Sequence, residues 1–207
     1  MQETPKALRF RCFPGPPLAA FRPEANAVFH PDTQRLIDEW TRLAATASVR
    51  GGIPQRAGLL PEALGRLLPR VFVADWRDGH AVLRLAGTTL EAFQRRPLRD
   101  EAILAFWSPA SADLVTTAVA QSVREARPVV VVGFAPGEPA TPVEMVIAPL
   151  RSRSGRPDQI LGLFAPASAL TPTGSGPVLL TARMAVAAGT AGRPRLSLAA
   201  VEGRRIA

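Results

Sequence analysis

Catalysis or metal binding needs reactive side chains brought together, and this chain of 207 residues offers few of the right type. Its adjacent carboxylates are Asp38-Glu39 and Asp100-Glu101. Neighbouring residues on a helix point apart, so neither pair implies general acid and base chemistry. Ser108, Ser111 and Ser122 have no histidine in their segment that would activate a hydroxyl nucleophile. The two histidines, His30 and His80, and the one cysteine, Cys12, are scattered. They neither cluster with one another nor carry the spacing of a zinc or haem site. The segment Ser154-Gly155-Arg156 lacks the second glycine and the lysine of a phosphate loop. With no catalytic and no metal residues to name, the chain reads as a sensing or interaction module, and not as an enzyme.

Composition narrows the partners. One cysteine permits no internal disulfide, and no apolar run approaches the roughly 20 residues needed to cross a bilayer. Glu3, Lys6, Arg9 and Arg11 charge the N-terminus without an apolar segment behind them, so a cytoplasmic protein is expected. The net charge of +8 would suggest nucleic acid, but it sits at the ends. Residues 1–30 hold four basic and two acidic groups, residues 171–207 hold five and one, and residues 31–170 are left with 16 and 14. Nucleic-acid association through arginine-rich tails is therefore the least favoured of three functional classes.

The elements that would position any site can be read from periodicity and punctuation. Residues 1–30 form an irregular arm rich in proline. From Pro31 an amphipathic helix follows, with Leu36, Ile37, Trp40, Leu43, Ala44 and Ala47 on one face. That stripe must be buried, either on the domain's own sheet or on a second subunit. A short proline-bounded helix is expected over 59–68. Asp78-Gly79 then joins two apolar runs, 71–76 and 81–86, the signature of a type I′ hairpin. Alternation in the second run would send Leu83 and Leu85 to the buried face. A helix over 112–127 precedes three strands at 129–134, 142–150 and 159–164. Two strands, helices, then three strands is an α+β order with an antiparallel sheet. Residues 31–166 are read as the domain, and 167–207 as a tail rich in proline, glycine and arginine that either adds a strand or is disordered.

Five antiparallel strands with helices between the second and third, preceded by an amphipathic helix, resemble a PAS domain. The chain is similar in particular to a single-domain PAS family common in alphaproteobacteria. Matching pieces are Trp40, Arg50-Gly51-Gly52-Ile53-Pro54, Leu67 to Asp75, Arg84-Leu85-Ala86-Gly87-Thr88, Trp107, Glu144-Met145, Pro149-Leu150 and Leu161-Gly162. Where the family usually has Leu-Phe-Gly-Arg, an acidic residue and Leu-x-Gly, this chain reads Phe93 to Asp100 and lacks both glycines.

The resemblance implies a cavity between sheet and helical segments. Its expected lining is Phe72, Leu83, Leu85, Phe93, Phe106, Trp107, Val130, Val132, Met145, Ile147 and Leu161, with Thr88, Thr89 and Glu144 able to orient a ligand. No cofactor is assigned, although an unidentified small molecule is compatible with such a cavity. Flavin photochemistry of the related kind would need a cysteine in the helical region, and Cys12 lies outside it. The leading expectation is a regulatory module that contacts a signalling protein such as a kinase, phosphatase or transcription regulator. A small-molecule sensor is the alternative. A symmetric homodimer is also expected, with Leu36, Ile37, Trp40 and Leu43 at its interface and Trp40 near the axis.

Overall fold

The structure is a computed structural model that describes residues 29–47, 52–170 and 176–188, and the backbone of 198–201. Residues 1–28, and with them Cys12 and nearly all of the expected arm, lie outside the described residues. At the hairpin, Asp78 and Gly79 take φ of 51° and 81°, the left-handed pair that a type I′ turn demands. They join β1 (Val71–Arg77) to β2 (His80–Ala86). Helix α3 (Thr88–Gln94), 3₁₀ turns at Ile103–Phe106 and Pro109–Ser111, and helix α4 (Ala112–Arg124) follow. The remaining strands are β3 (Val129–Ala135), β4 (Thr141–Leu150), β5 (Gln159–Pro166), β6 (Thr181–Ala187) and β7 (Leu198–Val201).

All seven strands join one sheet in the order β2-β1-β5-β4-β3-β6-β7, and every neighbouring pair is antiparallel. The five expected strands are present in the expected places. The sheet continues past residue 166, because β6 pairs with β3 along Val129–Phe134.

Helices cover both faces. On one side, α1 (Pro31–Thr46) crosses β4 and β5, next to α2 (Pro61–Leu64) and a 3₁₀ turn at Gly65–Arg70. Pro31 occupies the first turn of α1 and His30 caps it, Nδ1 accepting a hydrogen bond from the Asp32 N–H. The Asp32 carboxylate in turn receives Arg66 and Arg70. Leu36, Ile37, Trp40 and Leu43 are all buried with Val130, Val146, Leu161 and Leu163 of the sheet. On the other side α4 lies over β3, β4 and β6, and Ser122 Oγ donates to the Ile147 carbonyl.

Two arginines mark bulges, one on β2 and one on β6. Val73 pairs with Leu85 and Ala74 with Leu83, so Arg84 is the extra residue of β2. Met184 pairs with Val132 and Ala182 with Gly133, so Arg183 is the extra residue of β6. Arg84 reaches Asp75 and Asp100, while Arg183 sits 5.8 Å over the Phe134 ring.

The family's two missing glycines leave a trace in the backbone. Within Phe93 to Asp100, Arg95 and Asp100 hold φ of 54° and 65°. The loop keeps left-handed turns at two places, at the conformational cost that a side chain imposes there.

Candidate functional site

The candidate site is the layer between the sheet and the helical segments. Phe72, Leu83, Phe93, Phe106, Trp107, Met145 and Ile147 meet in one buried cluster there, as expected, together with Leu90, Leu98, Ile103 and Phe164. These side chains occupy the layer. Phe72 on β1 pairs directly with Gly162 on β5, and the Cζ end of its ring stands over that glycine. A Cβ built on Gly162 would overlap the Cζ and Cε atoms of that ring, so no other residue fits beneath Phe72. Phe93 packs on Phe164 with ring centroids 5.1 Å apart.

Four of the expected lining residues lie elsewhere. Leu85 is 51% exposed, because the bulge at Arg84 inserts one residue and reverses the alternation that Leu83 begins. Val130 and Leu161 are buried on the opposite face, under α1, and Val132 packs against that second cluster. Pairing decides this: Val131 is opposite Met145, so the odd-numbered valines share the site's face and Val130 and Val132 the other. Four consecutive valines carry no polar alternation from which the face could be read.

The polar candidates separate as well. Thr88 and Thr89, at the start of α3, border an open cleft of about 790 Å³ at the end of the sheet. His30, Arg70, Phe93, Phe164 and Leu170 share this cleft. Glu144 lies on the α1 face, where both carboxylate oxygens accept from the His30 N–H at 3.1 and 3.0 Å. It fastens the start of α1 to β4 and is not aimed at the interior.

The expected dimer residues are not free to meet a second subunit. Trp40 is 1% exposed and its indole N–H donates to the Pro149 carbonyl at 2.8 Å. Leu36, Ile37 and Leu43 are buried beside it. Of the two occupants the stripe was open to, the domain's own sheet has taken it.

Of the two alternatives left open for the tail, residues 181–187 take the first and add a strand. The run from Val178 to Ala188 lies along the exposed side of β3 and is also tied to the helical segments. Gln94 Nε2 donates to the Val178 carbonyl, Ser111 Oγ accepts from the Ala182 N–H, and Leu180 exchanges backbone hydrogen bonds with Phe106 and Ser108. Val178 and Leu180 are buried in the site's own cluster. The apolar Val178 to Val186 run was the available signal. Its glycine and proline surroundings left disorder as the other alternative.

Among the described residues, no three His, Cys, Asp or Glu side chains gather as metal ligands, and no helix is long and apolar enough to cross a membrane.

A sequence profile described as "PAS domain" matches residues 28–165, and thus ends before the Val178–Ala188 run. Among solved structures, the chain is similar to a light-oxygen-voltage domain studied with a flavin analogue. Identity is 15% over 52% of this chain and 83% of that one, with a TM-score of 0.41. It is similar also to the light-state structure of the LOV domain of the blue-light photoreceptor Aureochrome1, at 13% identity over 53% and 90% of the two chains, with a TM-score of 0.38. No curated protein matches.

Proposed function

The chain belongs to the PAS domain family, and we propose that it is a non-enzymatic sensory and regulatory module that acts through protein contacts. One observation carries this reading. The layer where the family resemblance implies a ligand is filled by the chain's own side chains, with Phe72 seated on Gly162 and Phe93 on Phe164. Interiors packed in this way transmit strain. The signal then arrives and leaves at the surface, through a partner such as a kinase, phosphatase or transcription regulator in the cytoplasm of a bacterial cell.

The cleft bordered by His30, Arg70, Thr88 and Thr89 favours a second reading, a small-molecule sensor whose ligand binds at the end of the sheet and not inside it. A homodimer built on the α1 stripe is not part of either reading, since that stripe is covered. Affinity capture of the full chain from its source cell, followed by native mass spectrometry, tests the choice. A protein held in whole-number stoichiometry is the expected result. A small molecule that co-purifies while no protein does would overturn the contact reading in favour of the second.

A further inference from the structure

The surface clefts of this fold differ in what they could hold. One of about 580 Å³ is bordered by both signs of charge, Arg56, Arg77 and Arg153 with Asp75 and Asp158. Asp75 there already accepts from Arg84 and Gln159. Another, of about 300 Å³, lies between the end of α1 and the segment 53–58 and has no ionisable residue in its lining. The cleft at the end of the sheet is different. No carboxylate lines it, one arginine does, and its volume of about 790 Å³ is that of a site for a small organic molecule.

The polar side chains of this cleft can all donate. Arg70 gives Nη1 to Asp32 at 2.6 Å while its side chain stays 34% exposed, so the other N–H groups of the guanidinium fork remain for a second acceptor. The His30 ring accepts from the Asp32 N–H through Nδ1, which puts the proton of the neutral imidazole on Nε2 as a further donor. Thr88 and Thr89 add two hydroxyls. The carboxylates bonded to these residues are engaged and do not line the cleft: Asp32 is shared by Arg66 and Arg70, and Glu144 accepts from the His30 N–H. Phe93, Phe164 and Leu170 supply apolar lining. The first two belong to the packed cluster between sheet and helices, which holds that wall in place.

We propose that this cleft binds an organic carboxylate, its anionic head on Arg70, His30, Thr88 and Thr89 and its apolar body against Phe93, Phe164 and Leu170. A planar guanidinium matches the two oxygens of a carboxylate, and a fixed positive charge with no acidic residue in the lining selects against amines. The residues that meet the head also hold the first turn of α1, since His30 caps that helix and Arg70 is bonded to its Asp32. Occupancy is therefore felt where α1 is fastened to β4. A ligand of about a dozen atoms held by so few groups in an open cleft binds with a Kd of about 10 µM to 1 mM, and it is lost on purification. The proposal rests on the second reading and deepens it by naming the ligand's chemistry.

Nuclear magnetic resonance titration of the full chain with 3-phenylpropionate tests it, with 3-phenylpropanol and 3-phenylpropylamine as the neutral and cationic versions of the same body. Saturable amide shifts should concentrate at residues 88–93 and 164–170, with the carboxylate bound about tenfold more tightly than the alcohol or the amine. Arg70→Gln should bring the carboxylate down to the affinity of the alcohol and leave the alcohol unchanged. Circular dichroism checks the fold of that variant, in which Asp32 keeps Arg66. Where it does not fold, Thr88→Val at the exposed rim serves instead, with a loss of about threefold or more confined to the carboxylate. Equal affinities for carboxylate and alcohol would overturn the proposal while leaving the cleft a binding site. No saturable shift at these residues with any of the three would overturn the second reading as well, whereas the contact reading is judged separately by the capture experiment.

Discussion

Substituting Gly162 by alanine probes the packed interior directly. The glycine lies opposite Phe72, whose fully buried ring occupies the space where a Cβ would stand. Carbon atoms pack at about 3.5–4.0 Å, so the ring must move by more than an ångström to admit the methyl group. Leu83, Leu90, Phe106 and Met145 belong to the same buried cluster and leave the ring no free direction. Overpacking of this kind costs about 1–3 kcal/mol, and complete expulsion of the ring would approach the about 3–5 kcal/mol of Phe72→Ala. Gly162→Ala is therefore expected to destabilise by about 2–5 kcal/mol. In the Phe72→Ala background the same methyl enters space already vacated, so the double variant should be no less stable than Phe72→Ala alone. That corresponds to a coupling of about 2–5 kcal/mol, well outside the additivity of independent sites. Urea unfolding followed by circular dichroism measures all four corners of the cycle. A Gly162→Ala cost below about 1 kcal/mol, or additive effects, would refute the seating of Phe72 on Gly162.

Three further outcomes are expected. Leu83→Ala should cost about 2–5 kcal/mol and Leu85→Ala under about 1 kcal/mol, because the bulge turns only the first inward; equal costs in denaturant unfolding would remove the bulge. Trp40→Glu should unfold the domain by circular dichroism, since it buries a charge where the indole meets the Pro149 carbonyl; a folded monomer from a dimeric wild type would instead restore the interface role. Burial raises the Asp75 carboxyl, but hydrogen bonds from Arg84 and Gln159 and the nearby Arg77 outweigh it and leave it below the usual aspartate range. Stability from this group is full above about pH 4, the ordinary aspartate value, and is lost as pH falls through the depressed folded value. The stability gap between wild type and Asp75→Asn should therefore close as the solution is acidified from about pH 5, and a gap constant with pH would contradict the assignment.

Local signals carried much of the fold. Asp78-Gly79, Pro31 and the apolar runs between glycine and proline breaks place α1, α4 and the five central strands within a few residues of where they lie. Facing was harder, because it depends on pairing partners distant in sequence. Arg84 looks like an ordinary strand residue until β1 is laid beside it, and the four valines of β3 point to opposite layers only once Met145 is set opposite Val131. The same limit hid what the added strand touches: Gln94, Ser111 and Gly133 are scattered over three elements, and only the closed sheet shows that each meets Val178–Ala188. For α1 the sequence stated that a stripe needed a partner, and the bond from Trp40 to Pro149 identifies that partner as the sheet.

The central claim is that the interior is occupied by the chain itself and that signalling proceeds at the surface. Native mass spectrometry of the purified full chain, together with an absorbance scan of the same sample, tests it most directly. The expected spectrum shows only the mass calculated from the sequence or whole multiples of it, with no absorbance beyond that of tryptophan. A smaller bound mass that is released on unfolding, or a visible chromophore, would contradict the claim.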